Sequence, residues 1–433
     1  MTGESGNDTA NYTMVLPVRH FRIDEGTVAV ESAFAEHLRM MRTRIGAGAR
    51  QLVVASPGMS RAAYEAGKQG FAVIDERAEQ VAFCMLFADE AALSTAGKLR
   101  LLRPVMKTLS GLVKQSICIH SGLSWDVWLP FEFVSIVLGV MAKRRTVFVV
   151  DIDYRNSAWM SYRTGDWSLR SYLLCKYVYD VARSLQVWIA ARYCSLVLLK
   201  GKKMVADFGA GRPNVKAILD ASHSERNIID RESVERKLEE LRDPARPLKL
   251  IYFGRLIAYK GIDRCLRAVA AARNAGANIT LDIIGGGPQA DELQALAREL
   301  HAEGFVAFHG AMQFGQEFFR VLYPFHLLLA APLREDTPRS ALDAMAAGIP
   351  YLAFDTYYYR ELLESGGGRV VPWPDTDAMA RMLIHLASNR EEVAQMVEAA
   401  IVFAQANTQE IWLERRMEWT LSSVLQNDTV TVG

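Results

Sequence analysis

Short runs of Val, Ile and Leu alternate with longer amphipathic stretches along most of the chain. A strand covered on both faces reads as a nearly continuous apolar run, and the helix that leads to its parallel neighbour repeats every 3.6 residues. In the first half the runs predict strands over residues 14–18, 51–56, 116–120, 146–151 and 194–199, with helices over 28–44, 133–142 and 169–193 among them. A charged helix over 231–242 is followed by Asp243-Pro244-Ala245-Arg246-Pro247, where the prolines break helix and favour extended chain. The alternation then restarts. Strands are predicted over 248–254, 279–285, 306–310, 327–331, 351–354 and 368–371, with helices over 263–275, 290–303, 340–347, 376–388 and 391–425. The pattern therefore predicts an α/β protein of two doubly wound parallel-sheet domains facing a central cleft. They cover residues 1–242 and 248–405, joined by a linker at 243–247 and followed by a helical tail at 406–433. A cleft at the carboxyl ends of such strands is where ligands bind.

Charge changes this picture only by exclusion. Lys and Arg number 50 against 49 Asp and Glu, so no global basic surface recruits nucleic acid. The five cysteines, Cys84, Cys118, Cys175, Cys194 and Cys265, are widely spaced and form no CxxC, which argues against a disulfide framework or structural zinc. The expected setting is a reducing cytosol. Residues 1–13 lack the basic-then-apolar pattern of a signal peptide. The longest apolar stretch, 128–142, is interrupted by Pro130 and Glu132 and falls short of the roughly 20 residues needed to span a bilayer. Residues 98–114 are cationic and amphipathic, which suits either an ordinary surface helix or peripheral contact with the inner face of the cell membrane.

Three strand ends carry candidate chemistry. The richest is Glu335-Asp-Thr337-Pro338-Arg-Ser-Ala-Leu-Asp343, an apolar strand running into a polar loop and then a helix. Free backbone donors at such a helix start favour a phosphate or a sugar hydroxyl, and carboxylates accept hydrogen bonds from hydroxyls. The second is Gly254-Arg255-Leu-Ile-Ala-Tyr-Lys260-Gly261, whose two cations could neutralise a pyrophosphate and stabilise it as it departs. The third, Gly285-Gly286-Gly287-Pro288, formally fits a dinucleotide fingerprint, but no acid follows for a ribose. Close backbone approach to a ligand or to the neighbouring loop explains it better.

The order GRLxxxKG, GGGP, FHG and ExxxxPxxxLDAMAxGxP resembles the C-terminal domain of GT-B glycosyltransferases, specifically glycosyltransferase family 4, over residues 248–375. The resemblance implies that Arg255 and Lys260 hold the diphosphate of a nucleotide sugar, that Glu335 touches the transferred sugar and that Asp343 binds the ribose. At the last position the family has Glu, one methylene longer. It also implies a donor site including Gly254, Gly285, Gly287, Thr337 and Pro338. The family's Gly-Gly turn is replaced here by Thr356-Tyr-Tyr-Tyr-Arg-Glu361. On the acceptor side the expected residues are Gly26, in a loop after the first strand, His120 at a strand end, and Asp151 with Asp153. His120 would orient an acceptor hydroxyl or serve as a structural histidine, and His120, Glu335, Lys260 and Arg255 form the expected catalytic set. The Asp151-Ile-Asp153 pair faces an acceptor, serves structure or mimics a metal-binding DxD. Arg155, Asn156 and Arg163 bind a polar acceptor or lie in a solvated loop.

The implied reaction is transfer, with retained anomeric configuration, from a nucleotide diphosphate sugar to a hydroxyl on a glycan or lipid-linked glycan, with no metal or other cofactor. The implied setting is bacterial polysaccharide, lipopolysaccharide or glycolipid synthesis. The resemblance also implies that the helical tail crosses back onto the first domain. Two other readings stand beside it: an epimerase or phosphorylase on the same fold, and a catalytically silent relative in a glycan assembly complex.

Overall fold

A computed structural model describes residues 10–89 and 94–425; the predicted domain ends at 1–9 and 426–433 lie outside the described residues. Two parallel sheets organise the chain. The first has seven strands in the order Val215–Ile218, Leu196–Lys200, Arg145–Val150, Ser116–Gly122, Asn11–Val15, Leu52–Gly58 and Val81–Ala88. Asn11–Val15 and Leu52–Gly58 are buried along their whole length, as expected of strands covered by helices on both faces. The second sheet has six strands in the order Val306–Gly310, Ile279–Ile284, Leu248–Phe253, Leu327–Ala330, Tyr351–Phe354 and Gly368–Val371. All six follow the predicted runs.

The first domain departs from the prediction in several places. Thr27–Glu31, expected to open a helix, is a strand, and the helix starts at Ser32. Its Thr27, Val28 and Val30 are β-branched and pair antiparallel with Phe71–Asp75, forming with Phe21–Arg22 a small third sheet. Strands Val81–Ala88 and Val215–Ile218 were not predicted. The helical run expected over 169–193 is continuous but includes a π-turn at Cys175–Tyr179.

The crossing between the sheets also falls earlier than the Pro-rich 243–247. Helix Arg231–Arg242 packs on the second domain: Leu241 lies in its core, and the buried Lys237 Nζ donates to the carbonyls of Phe325, Ala347 and Gly348 at 2.8, 2.8 and 2.9 Å. The connection is therefore the stretch after Ile218. Helix Gln409–Leu425 returns to the first sheet, where Met417 is buried beside Tyr12, Leu198 and Ile218.

Helix Thr95–Lys114 packs Val105, Leu109 and Val113 into the first core, as the surface-helix reading expects, while Leu99 and Met106 stay exposed. Among the described residues no helix is long and apolar enough to cross a membrane.

Candidate functional site

A cavity of about 930 Å³ opens at the carboxyl ends of the central strands of the second sheet. Arg255 and Lys260 line it together with Gly254, Gly285, Gly286, Thr337, Arg339, Ser340 and Asp343. Two glycine loops form its floor. Gly254 N–H donates to Ile284 O at 3.0 Å, and Leu256 N–H donates to Gly286 O at 2.9 Å. A Cβ on Gly285 would lie 1.9 Å from Gly254 O, and one on Gly287 would lie 2.4 Å from Leu256 O. The glycines thus allow loop to meet loop, the second of the alternatives the sequence left open. Gly287 serves that packing and does not line the cavity.

Lys260 ends a short 3-10 turn, Ala258–Lys260, and Gly261 follows with φ +64° against Ala331 O. This geometry sends the Lys260 ammonium across the cavity to the Asp336 carboxylate, with which it forms an ion pair. Arg255 Nη2 donates to Tyr259 OH at 3.3 Å and is otherwise exposed. Arg255 and Lys260 therefore face one concave site together with Arg339, and the Asp336 carboxylate competes for Lys260.

The loop before helix Arg339–Ala346 divides its acids. Asp343 is buried in the cavity wall, and its Oδ1 accepts from Ser222 N–H at 3.1 Å and His223 N–H at 2.9 Å. The shorter acid thus holds the chain that crosses between the domains while bordering the cavity. Pro338 is the N-cap residue of the helix and does not line the cavity. The expected free donors are partly used: Arg339 N–H donates to Thr337 O at 2.8 Å.

Glu335 does not share that cavity. Its carboxylate accepts from Asn156 Nδ2 at 2.9 Å and from Tyr357 N–H at 3.2 Å, and it lines a neighbouring cavity of about 400 Å³ with Trp125, Tyr154, Arg183 and Asp336. Burial outweighs those two donors and pushes its pKa up to about 7. Asp336 borders both cavities, so Glu335 and Lys260 flank it from two sides.

A third cavity, about 490 Å³, belongs mainly to the first domain and holds His120, Asp151, Glu132 and His37. It meets the Arg255 cavity at Arg339 and Gln409, and the Glu335 cavity at Trp125. The three form one cleft. His120 Nδ1 lies 2.8 Å from Tyr12 OH, and burial lowers its pKa to about 3. A neutral imidazole of such low basicity orients a hydroxyl better than it removes its proton. Burial raises the Asp151 carboxyl above its ordinary value, against the pull of Lys200.

Two acceptor-side expectations are corrected. Gly26 lies in an exposed hairpin turn, where Asp24 Oδ1 accepts from Gly26 N–H and Thr27 N–H at 2.9 Å each; it borders surface hollows with Arg77 and is remote from His120. The loop after the first strand is instead Leu16-Pro17, without glycine. Asp153 turns away from the cleft: Arg155 takes its carboxylate through Nε at 2.8 Å and Nη2 at 2.5 Å. Asp151 and Asp153 therefore do not act as a pair. Arg155 also reaches Asp207, Asn156 holds Glu335, and Arg163 lies over the Trp159 ring.

Sequence reasoning missed Asp336, Arg339 and Gln409. Asp336 and Arg339 sit inside the quoted 335–343 motif, where their polarity was the available signal. Gln409 has none, because only the return of the last helix brings it to the cleft.

Two parallel-sheet Rossmann-like domains around such a cleft define the GT-B fold. Solved structures agree over nearly the whole chain. A lipopolysaccharide-biosynthesis glycosyltransferase, WaaG, matches with TM-score 0.60 at 14% identity, covering 96% of this chain and all of that one. Anabaena Alr3699/HepE in complex with UDP matches with TM-score 0.59 at 15% identity, covering 95% and 100%. Residues 233–403 match the family model described as glycosyl transferases group 1. Among curated proteins, the 2-deoxystreptamine glucosyltransferase of Streptomyces kanamyceticus is 26% identical over 180 residues, 41% of this chain and 46% of the relative. The GtfA subunit of a Streptococcus gordonii UDP-N-acetylglucosamine–peptide N-acetylglucosaminyltransferase is 26% identical over 174 residues, 39% and 31%. The matches span less than half the length of these two curated relatives.

Proposed function

We propose that this protein is a glycosyltransferase that moves a sugar from a nucleoside diphosphate sugar to a hydroxyl acceptor. The observation that carries the reading is the convergence of Arg255 and Lys260 on one cavity that continues, past Arg339 and Gln409, to His120 and Asp151. The donor diphosphate lies against the two cations, where Arg binds it bidentately and Lys as a point charge. The base and ribose extend along the glycine loops toward Asp343. The sugar lies toward Glu335, whose pKa near 7 lets it meet sugar hydroxyls as donor or acceptor. The acceptor hydroxyl enters from the His120 side. Among the described residues the carboxylates lining this cavity are engaged: Asp336 is paired with Lys260, and Asp343 accepts from backbone N–H groups. With the retention that the family resemblance implies, the sugar would transfer by front-face attack guided by the leaving diphosphate, Arg255 and Lys260 stabilising the charge as it develops.

The Anabaena neighbour was solved with UDP and with UDP-glucose, which makes uridine nucleotides the first to try. A thermal-shift panel of nucleoside diphosphates and their sugars tests the reading, since a ligand of the native state raises its melting temperature. A nucleoside diphosphate should stabilise the protein and the bare nucleoside should not. A flat response across the panel would overturn the proposal.

A further inference from the structure

The helical run from Leu169 to Tyr193 turns an apolar face to solvent. Leu174, Tyr177, Val178, Val181, Leu185 and Trp188 follow one another at spacings of one to four residues, and each is between 44 and 63% exposed. At 3.6 residues per turn these positions fall on one side of the helix. Its other side is already occupied: Val187, Ala190 and Ala191 are buried in the first core. The face is therefore apolar in addition to what folding uses, whereas large apolar residues scattered singly would need no explanation.

Its charges indicate what covers it. Arg170 and Arg192 bracket the apolar stripe, and Lys176 lies exposed within the same run. The only acid of the segment, Asp180, is buried and paired with Arg183 at 3.0 Å. Lys176 rests against the rings of Tyr172 and Tyr177, and the Arg192 guanidinium lies 3.6 Å from the Trp188 ring centroid. Aromatic rings and long basic side chains around an apolar strip match the interfacial zone of an anionic bilayer, where rings sit at headgroup level and cations reach the phosphates. A second copy of the chain fits poorly. A twofold contact through this face would set its basic side chains against like charges.

We infer that helix 169–193 is a docking face for an anionic membrane surface, with the helix lying flat in the interface. At 1.5 Å per residue it would track roughly 35 Å of membrane. The side of the helix opposite this face reaches the cleft, because Arg183 there lies over Trp125, which lines two of the three cavities. The inference stands on the helix alone and does not depend on sugar transfer.

Co-sedimentation of the full chain with vesicles tests it, comparing phosphatidylcholine alone with phosphatidylcholine mixed with phosphatidylglycerol. The protein should pellet with the mixed vesicles, less so as salt is raised, and little with phosphatidylcholine alone. The double variant Val181→Asp/Leu185→Asp should weaken vesicle binding roughly tenfold or more with an unchanged melting temperature. Should that variant misfold, Arg170→Glu/Arg192→Glu, at an exposed and a half-buried position, should remove the preference for the anionic lipid. Absence of vesicle binding, or binding that a folded variant leaves intact, overturns the inference. So does a concentration-dependent dimer in sedimentation velocity that the variants abolish without any vesicle binding, which would assign the face to self-association.

Discussion

Removing the Lys260 ammonium separates binding from folding in a measurable way. In the free protein Lys260 is paired with Asp336, but the two side chains are 23 and 20% exposed. An ion pair that water still reaches on the cavity wall contributes about 1 kcal/mol to folding. A charge-assisted hydrogen bond to a phosphate contributes roughly 1.5–3 kcal/mol, so its loss weakens binding by roughly 10- to 150-fold. Lys260→Ala also leaves Asp336 unpaired on the wall against which the proposed diphosphate would lie, which adds repulsion. The double variant Lys260→Ala/Asp336→Ala should therefore recover part of the lost affinity. Calorimetric titration with the nucleoside diphosphate that gives the largest thermal shift, beside urea unfolding of each variant, measures both effects. A Lys260→Ala protein that binds within twofold of the parent would refute the reasoning. So would one that loses more than about 2 kcal/mol of stability, since the lysine would then be a structural residue.

Two further outcomes follow from the geometry. Gly285→Ala forces a Cβ to 1.9 Å from the Gly254 carbonyl, so the loops under the cavity must separate. It should cost about 3 kcal/mol or more in unfolding experiments, whereas Gly304→Ala, with nothing within 4 Å, should be close to neutral. Burial pushes the carboxyls of Glu132 and Glu335 up to about 7, so the folded chain keeps protons that the unfolded chain releases from about pH 4 upward. Their stabilising contribution is complete below the unfolded pKa and is lost as pH rises through 7. Its ceiling is about 3 kcal/mol for each group. Glu132→Gln should reduce the fall in stability between pH 5 and pH 8, and an unchanged fall would count against the burial argument.

The second domain was legible because its sequence states several strands twice, once as an apolar run and once as the glycine or charge that ends it. Leu248–Phe253 stops at Gly254-Arg255, and Ile279–Ile284 stops at Gly285. Local sequence therefore placed Arg255, Lys260 and Asp343 at one end of the sheet. The first domain was less legible where pairing decided the outcome. Thr27–Glu31 is a strand because Phe71–Asp75 lies beside it, a partner some 40 residues away that no local period reveals. Gly26 was misplaced for the same reason: the helix expected after it begins only at Ser32, beyond that strand. Asp153 was misread because its guanidinium partner, Arg155, is two residues along, and nothing in the spacing says which way the pair turns.

The substitution that looked least favourable in the sequence, the aromatic run where the resembling family has glycines, has a use in the structure. Tyr357 N–H donates to Glu335, Tyr358 OH accepts from Asp153 N–H, and Glu361 accepts from Lys202 N–H at the start of helix Lys202–Gly209. An acid at a helix N-terminus is favourably placed, and Lys202 answers with an ion pair to Glu364. Asn156 reaches Glu335 from the same side, while Asp343 holds Ser222 and His223 near the chain crossing. Carboxylates expected to meet ligand thus also fasten one domain to the other. Interdomain contacts of small polar groups open more readily than large apolar ones. Any closure around a donor must therefore either pivot on residues 153–156 and 357–361 or exchange their hydrogen bonds for contacts with the sugar. In the second case Glu335 would leave Asn156 as it engages substrate, which ties recognition of the donor sugar to the relative placement of the two domains.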